Sequence, residues 1–177
     1  AYLMLMVGHK AVGEVVSIVK LVREMEKKDI LPGTSHYVCM LEACIKSKNA
    51  DIPGKVYQLL IDGKLNFNYT RNFLNRMLAS FQNDLPKCLK VYKFMCKKQK
   101  TKTISYIDEP LELDNTLGAE ISNTNNTNEV RLKPDSETFI HILKACAQAH
   151  SYKTAKIVWK ELTAKGCPKH ILHYDHL

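Results

Sequence analysis

The chain has 177 residues, 45% of them hydrophobic, and a formal net charge of +8 from 26 lysines and arginines against 18 carboxylates. This apolar content excludes a disordered tail, and no apolar run approaches the roughly 20 residues that span a bilayer, so we do not expect an integral membrane protein. The positive charge favours a polyanionic partner.

Apolar or small residues recur along the chain with the spacing of one face of an amphipathic helix. One set of these patterns predicts four helices, called A helices, that begin near Tyr2, Tyr37, Leu74 and Phe139. A second set predicts four B helices that begin near Ile18, Pro53, Cys88 and Ala155. Each A helix and the B helix after it form a predicted helical hairpin. We expect Asp51 to cap the second B helix.

The starts of successive B helices lie 35, 35 and 67 residues apart, which is a 35-residue period interrupted by 32 additional residues. The sequence therefore predicts an all-α fold, an α–α superhelix or solenoid of about four hairpins, because each hairpin alone leaves an apolar side exposed. We place hairpins one to three in residues 1–98, an insertion in 99–130, and the fourth hairpin with the start of a fifth in 131–177. We expect the array to be truncated at both ends.

The insertion is polar and of low complexity, above all in 121–128, and we predict a loop or a disordered segment there. It carries two lysines and six carboxylates, a net charge of −4 that leaves +12 on the hairpins. Its acidic part, 104–117, is a weaker candidate for docking on a partner or on the basic hairpins.

The most regular hairpin begins with the sequence Ser-Glu-Thr-Phe-Ile-His at 136–141 and ends with Gly-Cys-Pro at 166–168. This hairpin resembles the pentatricopeptide repeat (PPR), a 35-residue helical hairpin, and the resemblance extends over the chain outside the insertion. The tetratricopeptide repeat is the alternative. It needs a glycine where this chain has Met6, Leu41, Leu78 and Leu143.

The resemblance implies binding of single-stranded RNA, with each hairpin contacting one base through two side chains. One of these side chains follows the Tyr/Phe position of the A helix, and the other ends the repeat. In the third hairpin the two positions hold Asn75 and Asp135, a combination that resembles a uridine reader. The alternative interpretations are a solvated polar residue for Asn75 and a helix cap for Asp135.

The other hairpins depart from the family pattern. Their paired positions hold Leu3 with Gly33, Val38 with Asn68, and Ile140 with His170. Because aliphatic side chains form no hydrogen bond with a base, we predict little base selectivity for these hairpins. The candidate phosphate contacts are Lys10, Lys46, Arg76 and Lys144, with a solvated surface as the equally weighted alternative for each.

No catalytic motif is present, so we predict no enzyme activity in this chain and no cofactor. The spacing of Cys167, His170, His173 and His176 suggests a zinc site only weakly, and we predict no metal site. Six cysteines without a CxxC pair favour a reducing compartment, and Cys44, Cys88 and Cys146 are predicted core thiols.

Three functions follow from the resemblance. The first is RNA binding in organellar RNA processing, stability or translation, in a mitochondrion or a plastid. The second is a structural subunit or assembly factor of an organellar ribonucleoprotein such as a ribosome, with ribonucleoprotein subunits as partners. The third is the RNA-recognition part of a protein-only tRNA-processing nuclease whose catalytic domain lies elsewhere.

Overall fold

The computed structural model describes residues 1–65, 67–97, 99–100, 129–130 and 132–168. These residues form eight α-helices and one pair of two-residue strands. The helices are α1 (Tyr2–Val12), α2 (Val15–Lys27), α3 (Thr34–Ser47), α4 (Asp51–Ile61), α5 (Arg71–Ser80), α6 (Leu85–Cys96), α7 (Ser136–Gln148) and α8 (Tyr152–Ala164). The strands are β1 (Gln99–Lys100) and β2 (Glu129–Val130). Odd-numbered helices are the predicted A helices, and even-numbered helices are the predicted B helices.

The helices pack in two layers. In the A layer α1 packs against α3, α3 against α5, and α5 against α7. In the B layer α2, α4 and α6 each pack against the A helix of their own hairpin and against the next A helix, while α8 packs on α7. The predicted all-α stack of helical hairpins is confirmed.

The core repeats with the hairpins. One position of the A helix, occupied by Met6, Leu41, Leu78 and Leu143, is fully buried in all four hairpins. Burying each of these side chains contributes about 1.5–3 kcal/mol, and the contacts join neighbouring hairpins as well as the two helices of one hairpin. Equivalent positions of the four hairpins are thus buried alike.

The position just before this one in the A helix is also buried, except in the first hairpin, where it holds Leu5. Its equivalents Met40, Met77 and Ile142 are buried, whereas Leu5 is 55% exposed. The reason is its place in the stack: each later A helix is covered on that side by the hairpin before it, and no helix of the described residues covers that side of α1.

Side-chain caps set the start of several helices. Thr70 and Asp84 accept hydrogen bonds from the backbone amides three residues later and so cap α5 and α6. The prediction that Asp51 caps α4 is wrong. Asp51 lies in the first turn, and Asn49 Oδ1 accepts hydrogen bonds at 3.1 Å from the amides of Asp51 and Ile52.

The turns inside three hairpins use a left-handed backbone conformation. The residue that ends the A helix or its turn has a positive φ in each: 74° at Gly13, 54° at Lys48 and 49° at His150. Glycine adopts this conformation without strain, whereas a residue with a side chain loses about 1–2 kcal/mol. The second and fourth hairpins therefore depend on helix packing to hold their turns.

The two ends of the insertion lie side by side. β1 pairs with β2 in antiparallel register, with Gln99 opposite Val130 and Lys100 opposite Glu129. The chain thus leaves the array and returns to it at one place, and α7 packs directly on α5 and α6. The loop prediction for the interior of the insertion falls on residues 101–128, outside those that the structure describes.

The cysteines divide into two groups that chemical labelling distinguishes. Cys39, Cys44, Cys88 and Cys146 are buried, which confirms the predicted core thiols, and burial raises the pKa of Cys44 and of Cys88 to about 12. Cys96 and Cys167 are partly exposed. Because the thiolate is the reactive species, we expect iodoacetamide to modify Cys96 and Cys167 in the native protein and the other four only after unfolding. Peptide mass spectrometry checks this, and rapid native labelling of Cys88 would contradict the packing of α6 on α7.

Candidate nucleic-acid interface

A shallow groove crosses α1, α3 and the start of α5. Equivalent positions of neighbouring A helices line it, because these helices stack side by side in the same register. Its lining includes Leu3, Val7, Lys10, Val38, Glu42 and Asn72. The structure therefore brings together the first readout positions of hairpins one and two, Leu3 and Val38, and the candidate phosphate contact Lys10.

The readout pair of the third hairpin is also brought together. Asn75 Nδ2 donates to Asp135 Oδ1 at 3.2 Å and to Glu137 Oε2 at 3.0 Å, and Thr138 Oγ1 donates to Asn75 Oδ1 at 2.8 Å. Asn75 is only 1% exposed, so the interpretation as a solvated polar residue is wrong. All the hydrogen-bonding groups of this amide except one lone pair are used inside the protein.

Asp135 caps α7, as the alternative interpretation predicted. Its Oδ1 accepts a hydrogen bond from the Thr138 amide at 2.9 Å, while Oδ2 lies 3.6 Å from Arg71 Nη1. Burial raises the pKa of this carboxyl, but the hydrogen bonds from Thr138 and Asn75 and the charge of Arg71 outweigh burial and hold the pKa below its usual value. About a third of the side chain remains exposed, so the carboxylate is the part of the pair that reaches solvent.

The remaining readout positions do not form polar pairs among the described residues. Val38 and Ile140 are half-buried, and Asn68 is exposed just before α5, where its backbone carbonyl accepts a hydrogen bond from Thr34 at 3.3 Å. His170 lies outside the residues that the structure describes. The only polar readout pair that the described residues bring together is thus Asn75 with Asp135.

Two of the four candidate phosphate contacts are paired with carboxylates. Lys10 Nζ lies 2.9 Å from Glu42, and Arg76 lies 2.6 Å from Glu137 and 3.9 Å from Glu42. We call these four residues the ion-pair row; they come from α1, α3, α5 and α7 in turn. The hydrogen bond to Glu42 raises the pKa of Lys10, so its charge is retained. Lys10 and Arg76 are thus held in ion pairs, and their role as phosphate contacts stays a prediction.

The other two candidates differ from these. Lys46 donates to the backbone carbonyl of Ala11 at 3.4 Å, which ties α3 to α1. Lys144 is half-buried, and it forms no ion pair within 4.0 Å among the described residues. Lys144 thus keeps a charge that a phosphate can approach.

Sequence reasoning missed Glu42, Glu137 and His141. His141 Nδ1 lies 3.2 Å from Gln82 Nε2, its Nε2 lies 3.6 Å from Glu137, and burial is the main cause that lowers its pKa. A signal was available, because Glu42 follows Val38 by four residues and Glu137 precedes Ile140 by three, which places them on the readout side of their helices.

Other kinds of site find no support in the described part of the chain. No three His, Cys, Asp or Glu side chains converge there as metal ligands. Of the weak zinc candidate only Cys167 is described, since His170, His173 and His176 lie outside. None of the helices that the structure describes has both the length and the apolar character needed to cross a bilayer.

Residues 124–177 match the family model of the pentatricopeptide repeat domain. This part of the chain is similar to a pentatricopeptide repeat. The match contains α7 and α8, the hairpin on which the sequence resemblance was strongest, and it favours this family over the tetratricopeptide alternative. No curated protein matches the sequence. PPR hairpins are RNA-binding helical repeats, and the first three hairpins of this chain stack in continuous register with the matched one.

Proposed function

We propose that this protein binds single-stranded RNA along the groove of its A layer and acts in organellar RNA processing, stability or translation, in a mitochondrion or a plastid. The observation that carries the proposal is the alignment of equivalent A-helix positions along one groove, in a chain with a PPR hairpin. A single strand fits such a surface because its unstacked bases can lie against successive hairpins.

In this proposal the third hairpin makes the one selective base contact. Asn75 donates a hydrogen bond to Oδ1 of Asp135, and Oδ2, which lies beside Arg71, accepts a hydrogen bond from the base, with uracil N–H as the expected donor. Leu3, Val38 and Ile140 contact bases without selectivity. Lys144 and Lys46 contribute phosphate contacts, and Lys10 and Arg76 contribute where a phosphate displaces Glu42 or Glu137.

Titration of the chain with U-rich, A-rich and mixed single-stranded RNA tests this proposal. We expect Val38→Asp to weaken binding by about tenfold or more, because it places a carboxylate in the groove beside the phosphate path. The matched control is Val16→Asp, the same change at a residue of α2 that is 66% exposed and outside the groove lining. Fluorescence anisotropy gives the affinities, and circular dichroism verifies the fold of both variants. Equal affinities for the two variants would contradict groove binding.

A structural subunit or assembly factor of an organellar ribonucleoprotein is the second candidate. The ion-pair row favours it, since Glu42 and Glu137 already neutralise two cations of the groove. The same titration separates the candidates. Binding with a preference for U-rich RNA supports the first, and weak binding that lacks sequence preference and disappears with added salt supports the second.

A further inference from the structure

The outward side of α6 and α8 is covered with lysines. Lys90 and Lys93 on α6 are exposed on the side opposite the buried residues of that helix, and the same holds for Lys153, Lys156 and Lys160 on α8. We call these five residues the outer lysine face. It lies on the B layer, whereas the groove lies on the A layer.

No carboxylate within these two helices balances the outer lysine face. α6 contains no Asp or Glu, and the one carboxylate of α8, Glu161, pairs with Lys165 at 2.9 Å. Among the described residues, none of the five lysines has an ion pair within 4.0 Å. α2 also exposes Lys20, Arg23 and Lys27, but unlike α6 it contains two acidic residues, Glu24 and Glu26.

The lysines of the two helices belong to one surface. α6 and α8 both pack on α7, and Lys165, just after α8, donates to Tyr92 Oη of α6 at 2.9 Å. The contact between Lys165 and Tyr92 brings the end of α8 to α6, so the two rows of ammonium groups lie on one side of the B layer, where a single polyanion can contact both. Among the described residues these five lysines have no ion-pair partner, and the Asp84 carboxylate acts on Lys90 only at longer range, so the lysines attract phosphates and repel one another.

We propose that the outer lysine face binds the phosphate backbone of base-paired RNA. Lysine is a flexible point charge that contacts phosphate without reading the base, so the face accepts RNA whose bases are already paired. A membrane surface fits less well, since the described residues of α8 expose just two large apolar side chains near these lysines, Tyr152 and Ile157, and α6 exposes none. A protein partner fits less well too, because protein interfaces are depleted in lysine.

The test uses the whole chain and a short RNA duplex. In the first variant Lys153, Lys156 and Lys160 are changed to Gln; the matched control changes Lys20, Arg23 and Lys27 of α2 to Gln, which removes the same charge from another B helix. We expect the first variant to bind the duplex about tenfold or more weakly. The slope of log affinity against log salt should fall by about 0.9 for each phosphate that the variant no longer neutralises, whereas the control should leave the slope nearly unchanged.

The design separates this inference from the groove proposal. Val38→Asp should leave duplex binding intact, and the α8 variant should leave the preference for U-rich single strands intact. Equal weakening in the α8 variant and the α2 control would overturn the inference, since net charge alone would then explain binding. Absence of duplex binding by the wild-type chain overturns it as well, as does lysine-dependent binding of phosphatidylserine vesicles in place of RNA. None of these outcomes tests the proposal that single-stranded RNA binds in the groove, which the single-strand titration tests.

Discussion

The Phe139→Ala variant should unfold with a free energy about 3–5 kcal/mol lower than that of the wild-type chain. Phe139 is fully buried at the start of α7, and its ring lies 5.9 Å from that of Tyr92 on α6, so it joins the third and fourth hairpins. Removing the ring leaves a cavity that the two hairpins cannot fill without moving apart. Urea denaturation followed by circular dichroism measures the change.

Val16→Ala is the matched control for this experiment. Val16 also lies near the start of a helix, but it is exposed, so its truncation should change the free energy of unfolding by less than about 0.5 kcal/mol. A decrease below about 1 kcal/mol for Phe139→Ala would show that α7 does not pack closely on α6. Such a result would also remove the structural basis for continuity between the third and fourth hairpins.

The Asn75→Asp variant is the second case of a large expected effect. The side chain is buried within hydrogen-bonding distance of Asp135 and Glu137, so an added carboxylate meets two others with little water to screen them. We expect a decrease of about 3–5 kcal/mol in the free energy of unfolding at neutral pH. The new group should have a raised pKa in the folded state, so the decrease should become smaller as the pH falls and larger as the pH rises.

Asn72→Asp provides the comparison for the charge itself. Asn72 is exposed in the first turn of the same helix, where its Oδ1 accepts a hydrogen bond from Arg76 Nε at 3.3 Å. A carboxylate there faces a cation and the N-terminus of α5, so we expect no decrease in stability. Urea denaturation at neutral and acidic pH measures both variants. A pH-independent decrease for Asn75→Asp would contradict the buried network of Asn75, Asp135, Glu137 and Thr138.

The helices and their order were predictable from local patterns. Apolar residues at helical spacing, with the period between hairpins, led to all eight helices, because a helix must bury one apolar side whatever packs against it. The cap of α4 was predicted less well. Asn49 and Asp51 are both good capping residues, and the choice between them depends on where the preceding turn ends.

The candidate site was predicted only in part. The pairing of Asn75 with Asp135 followed from the family pattern, and the two side chains do meet. The burial of Asn75 and the neutralisation of Arg76 by Glu137 did not follow, because the partners lie 60 or more residues apart along the chain. Contacts between hairpins depend on how closely the A helices approach, which no local pattern contains.

Sequence alone determined that this protein is a stack of helical hairpins, because the spacing of apolar residues sets which side of each helix is buried. Only the tertiary structure decided where its positive charge is available. Packing of the A layer places Glu42 between Lys10 and Arg76 and places Glu137 beside Arg76, while the outward lysines of α6 and α8 face no carboxylate of their own helices. Composition fixes the net charge of the chain. Whether a given lysine or arginine forms an ion pair depends on its distance from a carboxylate, and helix packing sets that distance between hairpins.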